Sequence, residues 1–284
     1  MQLLDLTLPT PAENLACDEA LLDAAEAGEL TDEVLRFWES PTHFIVVGHA
    51  NHIRKEVNDD VPVPVLRRCS GGGTVVQGPG CLNYALILRI PATGPLAHLT
   101  GTNTYIMDRM AEALNRALIL SCGSGVPAAS SSDESGCSGA SVKRRAFPMP
   151  QQPAAHRAAA TPHPEDTLTV SPHGSTDLAL GERKFSGNAQ RRKRHWLLFH
   201  GTFLLNFDLT LIGRLLKFPT RVPDYRQGRS HLDFVRNLPV TAAAVKAAVV
   251  AAWDVDGNLP VVPHARIAQL VASHYGRPEW NEKF

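Results

Sequence analysis

Residues 177–207 read DLALGERKFSGNAQRRKRHWLLFHGTFLLNF, and their spacing decides the architecture. Two runs with strand character, 177–181 and 195–207, flank the stretch KFSGNAQRRKR at 184–194. A parallel strand pair needs a crossover of about a dozen residues or more, usually a helix. Two strand pairs along this chain are joined too closely for that. The expected fold class is therefore α+β, with a mixed or mostly antiparallel sheet and flanking helices, and not a doubly wound parallel sheet.

Upstream, residues 11–28 (PAENLACDEALLDAAEAG) predict a helix: Leu15, Leu22 and Ala25 share a face, and Gly28 is a plausible stop. Short strands are expected at 34–38 and 43–48, at the run starting with Pro64, and at 83–90 (NYALILRI). Ile106, Met110, Leu114 and Ala117 repeat at helical spacing within 102–120, with Thr102 or Asn103 as cap. A short helix is expected at 210–216 and a last one at 241–253, capped by Thr241. Residues 121–175 are rich in Ser, Ala, Pro and His and hold one aromatic, Phe147. Such a stretch buries too little apolar surface to offset its ordering entropy, which predicts a disordered insertion within a single domain spanning 1–284.

Composition sets limits on function. Lys and Arg total 28, Asp and Glu 28, so the chain has no net positive charge to suggest nucleic-acid binding. No apolar run suits a membrane span, and the N-terminus lacks a signal peptide's basic and apolar regions, so a cytoplasmic protein is expected. The five cysteines, at 17, 69, 81, 122 and 137, have no paired spacing that would suggest a zinc site or redox dithiol.

Two segments carry chemistry. The first is Arg67-Arg68-Cys69-Ser70-Gly71-Gly72-Gly73-Thr74-Val75-Val76-Gln77-Gly78. Successive glycines let a backbone approach a ligand closely and point N–H groups at an anion. The two arginines are placed to add charge-assisted bonds to a phosphate or carboxylate. A plain glycine-rich hairpin turn is the bland alternative. The second segment centres on Lys184, with Asp177 before it and Gly187 and Ala189 after it. A lysine at a crowded site can bridge the charges that develop on a carbonyl oxygen and a phosphate during acyl transfer. Asp177 is the candidate carboxylate for Mg²⁺ arriving with substrate phosphates. The basic run 191–195 is either a solvated face or a docking patch for an acidic carrier domain.

Five stretches in order resemble the lipoate-protein ligase A family of the biotin/lipoate ligase group: RFWESPTHFIVVGHANHIRKEVN, RRCSGGGTVVQGPGCLNY, DLALGERKFSGNAQR, FHGTFLLNFDL and HYGRPEWNEKF. The resemblance implies a catalytic domain like that of biotin ligases and class II aminoacyl-tRNA synthetases. It implies two steps: activation of lipoate or octanoate by ATP to acyl-AMP, then transfer to a lysine of a lipoyl carrier domain. That carrier would be a 2-oxoacid dehydrogenase E2 or a glycine-cleavage H-type protein. By motif position Lys184 is the catalytic lysine. The nucleotide and acyl contacts are expected from Arg68, Ser70, Gly71, Gly72, Gly73, Thr74, Val75, Val76, Asn83, Asp177, Gly187, Ala189, His200 and Gly201.

Three departures stand out. Thr176 replaces the Asn of the family's Asn-Asp pair, and Gln77-Gly78 replaces its His-Asp. The chain ends at the Trp-Asn motif, without the small accessory domain of many ligases, so a separate accessory subunit is a candidate partner. Two alternatives remain: an octanoyltransferase of the same fold, which acts through a cysteine thioester, and a non-catalytic subunit of a split ligase. For the thioester, Cys137 precedes Lys184 but falls in the expected disordered insertion, no cysteine follows it, and Cys69 and Cys81 flank the glycine loop in a position unfamiliar for that chemistry.

Overall fold

The close strand spacing of 177–207 produces a meander, and the rest of the chain is laid around it. The structure, a computed structural model, describes residues 1–123, 169–219 and 222–284. Its strands are β1 Gln2–Asp5, β2 Val34–Trp38, β3 Phe44–Val47, β4 Val65–Arg67, β5 Val75–Gln77, β6 Cys81–Arg89, β7 Val170–His173, β8 Asp177–Leu180, β9 Arg183–Arg192, β10 Trp196–Leu204 and β11 Gly257–Asn258. Its helices are α1 Pro11–Glu26, α2 Ile53–Glu56, α3 Leu99–Gly123, α4 Thr210–Leu215, α5 His231–Phe234, α6 Ala242–Ala252, α7 His264–Leu270 and α8 Pro278–Asn281.

Eight strands form the main sheet in the order β11-β1-β2-β6-β10-β9-β8-β7. Only the β11–β1 and β1–β2 pairs are parallel; the other five neighbours run antiparallel. The mixed, mostly antiparallel α+β fold is thus as expected. A second sheet has the order β4-β3-β5. Because β4 and β5 lie on opposite sides of β3, the glycine segment between them is not a hairpin turn.

Alternation along β6 shows why the sheet is covered on both faces. Leu82, Tyr84, Leu86 and Leu88 pack with α3 and α6. Ala85 and Ile87 point the other way, into the cluster built on α1 and α7. A period of two on a central strand divides its side chains between two cores. Helix α1 starts on a capping box, Thr10 and Glu13 each bonding the other's backbone N–H, with Pro11 in the first turn. Thr241 caps α6 by accepting from the Ala244 N–H.

Several boundaries differ from the sequence reading. Residues 184–192 do not merely connect strands; they lie within β9, which ladders on both sides. Helix α3 starts at Leu99, so Thr102 is inside it and donates to the His98 carbonyl at 2.8 Å. The interior of the expected 121–175 insertion lies outside the described residues, but both its edges are structured: α3 runs through Gly123 and β7 opens at Val170. Beyond Trp253 the chain adds β11, α7 and α8, so α6 is not the last helix. Among the described residues no helix is long and apolar enough to cross a membrane.

Candidate active site

Strand register lays down the floor of a cavity. Arg36, Ala85, His200 and Ala189 form one row across β2, β6, β10 and β9. Two residues along, on the same face, Trp38, Asn83, Thr202, Gly187 and Asp177 form the next row. Ala85, Ala189 and Gly187 contribute little bulk, and a cavity of about 390 Å³ opens here between the sheet, the glycine loop and residues 216–219 and 222–235. That volume suits a small-molecule site. Across its floor Gln77 Nε2 donates to Thr202 Oγ1 at 2.6 Å, and Thr202 donates to Asn83 Oδ1 at 2.6 Å.

A bulge aims the lysine. Leu178 pairs with Ser186 but Ala179 pairs with Lys184, so Phe185 is the extra residue on β9. An extra residue re-aims the side chains beyond it. Phe185 enters the hydrophobic core, and Lys184 lines the cavity. Its Nζ lies 2.7 Å from Asp177 Oδ1, and the Tyr225 hydroxyl donates to Asp177 Oδ2 at 2.8 Å. Burial, then the Asp177 charge, push the Tyr225 phenol well above its ordinary value, which keeps it a donor. Gly187 is what makes room: a Cβ there would stand 2.9 Å from Lys184 Nζ. Gly201 does the same for Asn188, whose Oδ1 would lie 1.6 Å from an added Cβ. Asn188 accepts from Tyr84 at 2.7 Å and donates to the Thr176 carbonyl at 2.7 Å.

The glycine loop is held from behind. Arg68 is buried and donates to the carbonyls of Gly71 and Gly73 and to Ser70 Oγ. Burial lowers its pKa to about 10, which still leaves it charged at neutral pH. Gly72 sits at φ +87°, a conformation glycine adopts without strain. Ser70 Oγ is 2.6 Å from His200 Nε2, and His200 Nδ1 is 3.3 Å from Asp18 Oδ2. Asp18 Oδ1 in turn pairs at 2.5 Å with Arg36, which is fully buried. With Nδ1–H donated to Asp18, Nε2 accepts from the Ser70 hydroxyl, and the two terminal nitrogens of Arg36 are bonded while its Nε has no partner. Burial alone would raise the Asp18 pKa; Arg36 and His200 outweigh it and the net shift is down.

The structure brings together Lys184, Asp177, Arg68, Gly72, Gly73, Thr74, Val75, Val76, Asn83, Gly187, Ala189, His200 and Gly201 around the one cavity. Ser70 and Gly71 are not on its lining; Ser70 is buried beneath the loop. Arg67 is no ligand-facing group either. It is fully buried and donates to the carbonyls of Gly48, His49, Asn51, Trp280 and Asn281, tying the C-terminal segment to the loop. The basic run is mostly engaged within the protein: Arg191 bonds the Cys69 carbonyl, Arg192 the α3 start, Lys193 Asp23 and His195 Glu26. Only Arg194 of its arginines and lysines is exposed. Sequence reading missed Asp18, Arg36, Thr202, Asn188, Tyr225 and Arg226. The alternation of His200 and Thr202 along β10 was a signal for Thr202; the others needed the register or the loop path.

Cysteine is absent from the lining among the described residues. Burial raises the thiol pKa of Cys17 to about 11 and of Cys69 to about 12, and pushes Cys81 up as well. Among the described residues there is also no group of three His, Cys, Asp or Glu that could hold a metal ion.

A lysine and a glycine loop meet over one cavity on the sheet, and comparison with known proteins gives the family of the chain. The model of the lipoyl protein ligase A/B catalytic domain matches residues 10–133 and 150–253, and the chain belongs to that family. It is an enzyme of the lipoate ligase and octanoyltransferase kind. The chain is 27% identical over 302 residues to octanoyltransferase LipM of Symbiobacterium thermophilum, covering 99% of this chain and 97% of that one. A lipoate-protein ligase A structure bound with ATP superposes with a TM-score of 0.65 at 20% identity, covering 99% and 98% of the two chains. The bi-partite lipoate protein ligase of Thermoplasma acidophilum, studied with its E2 lipoyl domain, gives 0.67 at 18% identity, covering 99% and 95%. At those identities the two structures speak for the fold.

Proposed function

We propose that this protein is an ATP-dependent lipoate-protein ligase, forming acyl-AMP from lipoate or octanoate and passing the acyl group to a lysine of a lipoyl carrier domain. The observation that carries the reading is Lys184, aimed by the β9 bulge into a cavity bordered by the glycine loop and lined by no thiol among the described residues. In the first step a carboxylate oxygen bonds to the α-phosphorus while the bond to the bridging oxygen breaks and pyrophosphate leaves with the electron pair. In the second the carrier amine bonds to the acyl carbon, AMP leaves, and the amine loses a proton. Both steps concentrate negative charge on oxygens, and a fixed ammonium beside them lowers both barriers. Lys184 is held ready by Asp177 and gains a second anionic partner when the substrates bind. The open backbone at Gly73, where an added Cβ would meet nothing within 4 Å, leaves room for the nucleotide.

Magnesium would enter with the nucleotide phosphates. Asp177 supplies a carboxylate beside Lys184, but its two oxygens already hold Lys184 and Tyr225, so it fits as a partial ligand only. When bound, the ion would neutralise phosphate charge. Lipoyl carriers of the E2 or H-type are the partners of this reading, with a separate accessory subunit as a further candidate. The free thiols of Cys17, Cys69 and Cys81 suit the reducing cytoplasm.

The full-length likeness to octanoyltransferase LipM favours a second reading, transfer from an acyl carrier thioester. That route needs a thiolate, and Cys17, Cys69 and Cys81 are buried with raised pKa values. Lipoate-dependent exchange of label between pyrophosphate and ATP separates the two: the ligase reading expects exchange, and its absence together with ATP-independent transfer from octanoyl carrier protein would replace it with the transferase.

A further inference from the structure

The floor of the cavity contains a hydrogen-bond acceptor that the fold leaves unused. Gln77 is 4% exposed and lines the cavity, and its Oε1 has no hydrogen-bond partner. Its amide can face only one way. Asn83 Nδ2 donates to the Cys81 carbonyl at 3.3 Å, which turns Oδ1 towards Thr202. The Thr202 hydroxyl gives its one proton to that oxygen at 2.6 Å, so from residue 77 it can only accept. It therefore meets Nε2 of Gln77, at 2.6 Å, and Oε1 is left over.

The place of this oxygen relates it to the chemistry. Thr202 pairs with Gly187 across β10 and β9, and an added Cβ on Gly187 would stand 2.9 Å from Lys184 Nζ. The Gln77 amide is thus bonded one strand, about 5 Å, away from the residue that makes room for the lysine. A buried acceptor without a donor is costly, and a ligand's N–H or O–H relieves that cost. The carboxylate, the α-phosphate and the tails of lipoate and octanoate bring no such donor. The carrier amine does.

We infer that Gln77 Oε1 holds the attacking amine of the carrier lysine. This rests on the transfer to a carrier lysine proposed above. One N–H of the amine donates to Oε1, which leaves the nitrogen lone pair free for the acyl carbon. The nitrogen bonds to that carbon, the carbon–oxygen bond to AMP breaks, AMP leaves with the electron pair, and the proton passes to water. An amide takes up no proton near neutral pH, so Gln77 orients the amine and is not its base. Gln77 stands where the ligase A family has His. A His in its place would accept from the amine only while neutral, since both ring nitrogens of the cation are donors.

Steady-state transfer from supplied lipoyl-AMP to an apo lipoyl carrier domain, with the full chain, tests the assignment. Gln77→Leu removes the acceptor and should lower kcat/KM for the carrier by about 10- to 100-fold. KM for lipoyl-AMP should change less than about threefold. Gln77→His should restore transfer above about pH 7 and lose it, relative to wild type, as the ring protonates below about pH 6. A residue that only supports the fold would give neither the carrier-selective loss nor that pH dependence. Should Gln77→Leu fail to fold, the ratio of Gln77→His to wild type across pH decides. Unchanged transfer in Gln77→Leu would overturn the inference, as would a pH-independent ratio for Gln77→His. So would an equal loss in lipoyl-AMP affinity, which would assign the oxygen to a ribose hydroxyl instead. Wild type that transfers only from octanoyl carrier protein would remove the ligase reading, and the same two variants then test Gln77 with that donor. Wild type that acylates no carrier lysine from either donor would remove both.

Discussion

The two walls of the cavity are built on opposite principles. On the glycine-loop wall the charged groups are answered from within the chain: Arg68 by loop carbonyls, Arg67 by the C-terminal segment, and Asp18 by Arg36 and His200. On the lysine wall, one ion pair and one tyrosine hold Lys184, and buried nitrogens of Arg226 and His231 have no partner. The charges of the first wall are balanced within the fold, whereas on the second Arg226 has no carboxylate paired with it among the described residues. Substitutions on the loop wall should therefore register in stability, and those on the lysine wall in activity.

The largest expected effect is on the lysine wall. Lys184→Ala should lower carrier acylation by about 10³-fold, as loss of a preorganised charge at a transition state does, with the unfolding midpoint unchanged. A stability loss with retained turnover would reverse the roles of the walls. Next in size is Arg36→Met on the loop wall, which strands the Asp18 carboxylate. It should cost about 3–5 kcal/mol in urea unfolding, the range for removing one partner of a buried pair. The pH dependence follows from the same residue. Because the folded Asp18 pKa is depressed, its contribution is present above the ordinary carboxylate value and is lost as pH falls through the folded value. Unfolding midpoints of Asp18→Asn should accordingly show a shallower acid decline than wild type.

A smaller effect sharpens the contrast. Gly187→Ala puts a methyl against the flexible end of Lys184, so the amine is displaced rather than the backbone. Turnover should fall by about 10- to 100-fold, the scale of a misplaced catalytic group, with little change in unfolding. The smallest effect concerns thiols. Alkylation of the native protein at pH 8 should leave carrier acylation within about twofold, since buried thiols with raised pKa values do not react. Strong inhibition would point to a cysteine outside the described residues, Cys137 above all, and to thioester chemistry.

The difference between the walls also explains what the sequence revealed. The glycine loop, Lys184, Asp177 and the β10 histidine stand in short motifs with local signals, and all but Ser70 and Gly71 among the expected residues reach the cavity. Asp18 and Arg36 were hidden because a carboxylate on an alanine-rich helix reads as a solvated face; only the sheet row that sets Arg36 beside Ala85 shows that it is buried. The β9 bulge was also hidden, since KFSGNAQRR gives the two-residue period no clean phase. Arg226 stands in a run broken by Pro219, Pro223 and Gly228, which reads as loop, and its burial depends on Phe218 and Phe234 closing around it. Strands β1, β7 and β11 are four residues or fewer and offer too few alternations to count.

The central claim is that Lys184 and its cavity join a lipoyl group to a carrier lysine at the expense of ATP. Its most direct test is the intact mass of an apo lipoyl carrier domain incubated with this protein, lipoate, ATP and Mg²⁺. A gain of one lipoyl group that vanishes without ATP and with Lys184→Ala is the predicted result. An unchanged mass with ATP, alongside acylation from octanoyl carrier protein in its absence, would contradict the account.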